Sequence, residues 1–372
     1  MHFIDLKAQQ ARISDEINAK IQAVLSHGQY ILGPEVEHLE NRLAKFAGAK
    51  YGISCANGTD ALSLVLMAWG IGPGDAVFCP SFTYCATAEA IALLGATPVF
   101  VDIREDTYNM CAKSLEAAIS NMDHHPDLQA KAIIAVDIFG QSADYPALSS
   151  IAKKHALRLI ADSAQSFGTT LKNHHPIYWA DAMTTSFFPA KPLGCYGDGG
   201  AIFTQNDTDF DVVRSLRFHG KGKRKNENIR IGKNSRLDSL QAAILLAKLE
   251  IFEDEIKARN KIAKTYINAL KGTACRPPFI RDDIVSTWAQ FTLQVETPEE
   301  IAQKLGEDGI PTARYYPVPI HLLEAYKAYP CSPDKLPHTE ALKKRVLSLP
   351  MHPYLAPKDQ DHIISRLLYH AG

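Results

Sequence analysis

The sequence predicts an α/β protein: a central, mostly parallel sheet with helices on both faces, plus a smaller C-terminal α+β domain. Three observations carry this. From about residue 50, short apolar runs alternate with helical patterns. The runs are apolar on both faces, as strands covered from both sides must be. After about residue 236 the texture changes to one long helical pattern, then to short strand candidates, two or three helices and many prolines. The expected division is 1–250 for the large domain, N-terminal helix included, and 251–372 for the small one. A chain of 372 residues, 46% of them hydrophobic, can bury such cores without disulfides or metal staples.

The elements follow in order. Ile13, Ile17, Ile21, Val24 and Leu25 recur at helical spacing among charges within 12–27. Residues 51–56 read as a strand and 60–69 as a helix closed by Gly70. Residues 76–79 form a short strand, 83–94 a helix and 97–102 a strand. Residues 132–138 form another strand, followed by a helix near 145–155. Residues 157–162, 182–187 and 200–204 complete the strands of the large domain. Residues 237–269 form the long helix, with Phe252 as its expected break, and 289–295 a strand of the small domain.

Composition excludes several classes. The formal net charge of -1 provides no global field to gather nucleic acid or an anionic membrane. The local basic run Lys221-Gly222-Lys223-Arg224-Lys225 fits either a solvated loop or a contact for an anionic substrate such as a diphosphate. It lacks the interleaved aromatics that stack bases. The cysteines number 7, and no pair has zinc-type spacing, so no metal is expected and reduced thiols of a cytoplasmic protein fit best. The N-terminus has no signal-peptide apolar core. No apolar run approaches the ~18–20 residues that span a bilayer. The expectation is a soluble protein with no nucleic-acid or membrane partner.

In an open α/β sheet, ligands bind beyond the carboxyl ends of the strands. The residues that follow each strand are therefore the candidates. The first strand leads into Asn57-Gly58-Thr59-Asp60-Ala61-Leu62. Gly58 lets the backbone approach closely, Thr59 adds a hydroxyl, and a helix N-terminus suits a phosphate. Thr59 equally fits a plain N-cap. Next, Tyr84 lies in Pro80-Ser81-Phe82-Thr83-Tyr84-Cys85-Ala86-Thr87 at the mouth of a helix. There an aromatic either stacks on a planar ring or joins the core.

The strand at 157–162 ends in Asp162, with Gln165 one helical turn on. The carboxylate either caps a helix or keeps a pyridine nitrogen protonated, which makes the ring an electron sink. Gln165 is placed to hydrogen-bond a ring hydroxyl. Lys191 sits between a buried strand and a glycine-rich loop, with Ser186 five residues before it. It is either a surface lysine or an amine whose apolar site lowers its pKa and favours Schiff bases. Ser186 offers a phosphate hydroxyl. Each signal is weak alone. In fixed order on successive strand ends, they describe a phosphate cup, a ring stacker, a pyridine carboxylate and a Schiff-base lysine. That set makes a pyridoxal 5'-phosphate (PLP) site.

The chain resembles the DegT/DnrJ/StrS-type sugar aminotransferases, fold-type I PLP enzymes, nearly end to end. Gly28-Gln29-Tyr30-Ile31-Leu32-Gly33-Pro34-Glu35-Val36 is similar to the family's opening motif, and the segments at 57–62, 80–87, 162–165 and 186–191 to its cofactor motifs. Phe218-His219-Gly220, Gly232-Lys233-Asn234-Ser235-Arg236-Leu237 and Leu347-Ser348-Leu349-Pro350-Met351-His352-Pro353 resemble later ones. Ala161 and Phe167 depart from it, where the family often has Glu and His.

The resemblance implies roles. Lys191 would hold PLP as a Schiff base and later shuttle the proton. Asp162 would pair with the pyridine nitrogen, Gln165 with the ring hydroxyl, and Tyr84 would stack on the ring. Gly58, Thr59 and Ser186 would hold the phosphate. Asn234 would reach the phosphate of the neighbouring subunit, so the enzyme would be a homodimer with shared active sites.

The segments at 185–200 and 234–243 look closest to one branch, the UDP-2-acetamido-2-deoxy-3-oxo-glucuronate 3-aminotransferases of lipopolysaccharide O-antigen biosynthesis. Arg236 would then clamp the uronate carboxylate from across the dimer. Tyr315, Tyr316 and His321 align with the family's substrate loop, although that branch usually has His where this chain has Tyr315. The implied reaction is ping-pong, from L-glutamate through the cofactor to a UDP-linked keto-sugar. Other 3- or 4-keto UDP- or dTDP-deoxysugars remain alternatives, as does a non-catalytic PLP-binding regulator. A PLP-dependent sugar dehydratase is disfavoured, because histidine replaces the lysine there.

Overall fold

The computed structural model describes residues 1–224 and 226–372. Three helices lead in: α1 (Leu6–Arg12), α2 (Ser14–His27) and α3 (Pro34–Ala47). Gly28 ends α2 in the left-handed region, at φ 71°, as a residue without Cβ does readily. Pro34 opens α3, where its missing N–H costs nothing. Strands and helices then alternate: β1 (Tyr51–Cys55), α4 (Gly58–Ala68), β2 (Asp75–Pro80), α5 (Ala86–Ala92), β3 (Thr97–Val101), α6 (Ala112–Ser120), β4 (Gln129–Val136), α7 (Tyr145–Lys154) and β5 (Arg158–Asp162). The short β6 (Thr170–Leu171) precedes β7 (Ala182–Ser186), β8 (Gly200–Thr204) and α8 (Asp207–Leu216).

Seven of these strands form one sheet in the order β1-β8-β7-β5-β4-β2-β3. Only β8 runs against its neighbours; the β7–β5, β5–β4, β4–β2 and β2–β3 pairs are parallel. Every strand predicted for the large domain is present. The strands are buried on both faces because two apolar clusters sandwich the sheet. The side chains of α4 are buried continuously from Ala61 to Leu66, so this helix lies under other structure instead of facing water. The helices α3, α6 and α8 are additions to the elements that periodicity revealed.

The long helix α9 (Ser239–Leu270) is unbroken. The break expected near Phe252 is therefore corrected. Phe252 lies between Phe46 and Phe167, with ring centroids 5.6 and 6.1 Å away, and this packing holds the helix against the large core. Up to Ile256 the helix feeds the sheet's cluster, and from Ile262 it feeds a second core. That core gathers β10 (Phe291–Gln294), α10 (Pro298–Glu307), β11 (Val346–Leu349) and α12 (Pro357–Ala371). The short β9 (Ile284–Val285) returns to pair with β6, and α11 (Pro337–Leu342) docks on the large sheet's end through Asp102. We propose the domain division within α9, where one core hands over to the other. Among the described residues, no helix is long and apolar enough to cross a membrane.

Phe252 packs the long helix onto the large core, so Phe252→Ala should cost about 3–5 kcal/mol, as deleting a buried aromatic usually does. Chemical denaturation of the purified chain checks this. A loss under about 1 kcal/mol would contradict the packing described.

Candidate active site

The site begins with the reversed strand. Gly200 opens β8 and pairs on one side with Cys55 and on the other with Ser186. The ends of β1 and β7 are thereby drawn together. A Cβ on Gly200 would lie 2.5 Å from the Asn57 carbonyl oxygen, and one on Gly58 would lie 2.7 Å from Ser186 Cβ. Only hydrogen fits at both places. The Asn57 side chain accepts from the Asp60 N–H at 2.8 Å and caps α4. The cap is thus Asn57, not Thr59. Gly58, Thr59 and the Ser186 hydroxyl meet at the free N-terminus of α4, a natural seat for phosphate.

Asp162 ends β5, between Val136 of β4 and Thr184 of β7. It is 5% exposed. Its Oδ1 accepts from the Ala164 N–H at 3.1 Å and its Oδ2 from the Thr87 hydroxyl at 3.2 Å. Burial pushes this carboxyl above the usual carboxylate range, against the pull of the Ala164 N–H, the Lys191 charge and the Thr87 hydroxyl. Lys191 shows the opposite displacement. Desolvation lowers its pKa, and the Asp162 charge partly restores it. Among the described residues neither group has an ion-pair partner within bonding reach, and Lys191 Nζ has no hydrogen-bond partner. A buried carboxylate facing a half-buried, desolvated amine, with neither neutralised, fits a ligand that carries a cationic nitrogen and an electrophilic carbon. PLP is such a ligand.

Gln165 is held from behind. Its Oε1 accepts from the Phe139 N–H at 2.7 Å, so its Nε2 is left to donate into the site, where the Tyr316 oxygen accepts at 3.1 Å. The ring of Tyr316 meets Phe82 edge-on at 5.9 Å, and Tyr315 packs beside it. Tyr84 stands free at the mouth, 59% exposed, in the turn before α5. Its face is thus available to a planar ring.

Gly58, Thr59, Asp162, Gln165, Ser186 and Lys191 lie at or after the ends of β1, β5 and β7, and Tyr316 reaches Gln165 from the loop after α10. Three other sequence candidates are placed differently. The ring nitrogens of His321 are both committed, Nδ1 to Ser81 Oγ at 2.6 Å and Nε2 to Glu340 at 2.9 Å. Asn234 is exposed and pairs through its backbone with Phe218. The guanidinium of Arg236 lies 4.9 Å over the Phe218 ring. Among the described residues, no hydrogen bond joins the Asn234 or Arg236 side chain to the Lys191 group. Of the basic run, Lys221, Lys223 and Arg224 are exposed, and Lys225 lies outside the described residues.

Three residues that support the site received no role from the sequence. Thr87 bonds Asp162. Lys248 is buried and donates to the Gly194 carbonyl at 2.6 Å, under the loop that carries Lys191. Asp137 is buried behind Asp162. It follows an apolar strand, the same signal that marked Asp162, but falls within the range read as strand. Phe167 stacks on Phe203 at 5.4 Å in the core, so its departure from the family residue lies outside the site.

In the cofactor-free chain, Lys191 should lose its proton below the 10.5 of an ordinary lysine. An amine acylating reagent should therefore label it at a pH where surface lysines stay protonated. Asp162→Asn removes the charge that holds that proton, so the labelling midpoint should fall further. Peptide-resolved mass spectrometry over a pH series reads both. A midpoint like that of surface lysines would contradict the burial argument.

Comparison with known proteins accords with this geometry. Residues 11–368 match the model of the DegT/DnrJ/EryC1/StrS aminotransferase family. The UDP-2-acetamido-2-deoxy-3-oxo-D-glucuronate aminotransferase of Pseudomonas aeruginosa is 52% identical over 95% of this chain and 96% of its own. A crystal structure of a family aminotransferase from Brucella abortus superposes with a TM-score of 0.98 at 50% identity, covering 100% of both chains. A Bacillus subtilis structure with the aminated cofactor, PMP, bound superposes at 0.90 with 29% identity, over 100% of this chain and 85% of that one. The chain is a PLP-dependent enzyme and belongs to the DegT/DnrJ/EryC1/StrS aminotransferase family.

Proposed function

We propose that this enzyme moves an amino group from L-glutamate to C3 of UDP-2-acetamido-2-deoxy-3-oxo-glucuronic acid. It would serve lipopolysaccharide O-antigen synthesis as a cytoplasmic homodimer. The observation that carries the chemistry is the uncompensated pair of Asp162, buried at the end of β5, and Lys191, desolvated in the loop after β7. The P. aeruginosa relative supports the choice of sugar.

Bound PLP supplies an electron sink for the charge that develops when a C–H bond beside nitrogen breaks. The chain supplies the rest. The Asp162 carboxylate, fixed by Ala164 and Thr87, holds a proton on the pyridine nitrogen. Lys191 Nζ would hold the cofactor covalently at rest. Its lowered pKa would leave the free amine neutral often enough to move a proton at the donor's Cα. Gln165 Nε2 donates to the ring oxygen. Gly58, Thr59 and Ser186 seat the phosphate, and Tyr84 covers the ring face.

Two features support a dimer. Ile229, Ile231, Tyr30 and Phe188 are exposed apolar side chains on loops around the site, and Ile231 is 92% exposed. Asn234 and Arg236 project from a neighbouring loop without reaching their own chain's Lys191 group. They would complete the partner's phosphate and uronate contacts, with Tyr315 and Tyr316 on the substrate side.

The test is product mass spectrometry with glutamate and a panel of UDP- and dTDP-keto-sugars. The 3-oxo-glucuronate should be aminated best, and Lys191→Ala should abolish turnover. Arg236→Ala should lower kcat/KM on the uronate by ~10–100-fold, the worth of a charge-assisted bidentate contact, and spare neutral sugars. Preferred amination of a neutral or 4-keto sugar would refute the substrate assignment.

A further inference from the structure

The reaction scheme leaves one fully buried carboxylate unused. Asp137 follows β4 and is 0% exposed. Its Oδ1 accepts from the Ala143 N–H at 2.8 Å. Its Oδ2 accepts from the hydroxyls of Ser163 at 3.0 Å and Ser166 at 2.8 Å. These two serines bracket the working residues, Ser163 next to Asp162 and Ser166 next to Gln165.

The connection is reciprocal. The Asp137 N–H donates to the Asp162 carbonyl at 3.1 Å. The Phe139 N–H, two residues on, takes the Gln165 Oε1 at 2.7 Å and fixes which end of that amide faces the site. The turn after β4 therefore grips the turn after β5 at four points: Asp162 O, Ser163 Oγ, Gln165 Oε1 and Ser166 Oγ.

Such an arrangement is expensive. Among the described residues no lysine, arginine or histidine pairs with Asp137, and burial pushes its carboxyl up to about 6. A group whose folded pKa is raised stabilises least above that pKa, so at neutral pH its ionised form costs stability. A neutral residue of the same shape would avoid this cost. A buried charge kept at such a place suggests a task other than holding the fold.

We propose that Asp137 is a positioning residue of the cofactor site: through Ser163 and Ser166 its carboxylate sets the angle at which Asp162 and Gln165 meet the PLP ring. This rests on the reading of Asp162 and Gln165 as ring contacts.

Asp137→Asn is nearly isosteric. Its Oδ1 can still accept from Ala143, but its Nδ2 cannot accept from the serine hydroxyls, which must turn. The double variant Ser163→Ala/Ser166→Ala cuts the same link and leaves Asp137 in place. Both are compared with the parent by PLP titration of the apo chain, visible absorption of the holoenzyme, thermal unfolding of the apo chain, and kinetics.

The expected result is PLP affinity weakened by about tenfold, the order of one charge-assisted hydrogen bond. A shifted cofactor absorption band and a fall in kcat larger than any change in KM should accompany it. The melting midpoint of Asp137→Asn should be unchanged or raised. Parental affinity and absorption in either folded variant would overturn the inference, as would an affinity loss that only tracks a lower melting midpoint. If Asp137→Asn does not fold, the serine pair decides. Turnover by Lys191→Ala would instead overturn the underlying reading, whereas a parental Asp137→Asn removes this inference alone.

Discussion

The proposed active site depends on two opposite charges that the fold desolvates without joining. Asp162 ends β5 and Lys191 lies in the loop after the neighbouring β7, near enough to feel each other's field. Each remains short of a partner that would neutralise it. Desolvation pushes each toward its neutral form, and the mutual field pushes back. Neither arrangement serves an empty protein well. A ligand with a basic ring nitrogen and a reactive carbonyl resolves both problems, since it gives the carboxylate a cation and the amine a covalent partner. The remaining site residues can be ordered by how they hold that pair in place.

The reversed strand β8 is the second constraint. Because Gly200 lies between Cys55 and Ser186, the ends of β1 and β7, far apart in sequence, are drawn together. Two hydrogens in place of side chains, at Gly58 and Gly200, allow this approach. The proposed phosphate seat is thus a product of sheet topology as much as of its donors. The long helix α9 then clamps the lysine-bearing loop from below, through Lys248 to Gly194 and Gln241 to the Tyr196 N–H. The same helix carries the small core at its far end, so the two halves of the chain share one rigid member.

Much of this was legible in the sequence, for physical reasons. Strands buried on both faces are apolar throughout, so all seven stood out, and their order placed Thr59, Tyr84, Asp162, Ser186 and Lys191 at one end of the sheet. Helices with one polar face and capping by proline or asparagine, α3 and α8 among them, were less visible beside the motifs they flank. The expected break at Phe252 failed because an aromatic among charges resembles an interruption until its partners, Phe46 and Phe167, are known. Asp137 was missed because the predicted strand ran on to residue 138, which hid Asp137 inside it, whereas β4 ends at Val136. For His321, motif alignment could not show that Ser81 and Glu340 occupy both of its ring nitrogens.

Two desolvated lysines compete for the central role, since Lys248 also has a lowered pKa, about 8. It is 1% exposed and bonded to the loop's underside. Only Lys191 faces Asp162. Borohydride reduction of the holoenzyme, followed by peptide mapping, separates the two directly. The visible absorption should bleach, with a single phosphopyridoxyl group on the peptide bearing Lys191. A label on Lys248, or on any lysine other than Lys191, would contradict the assignment of the active site.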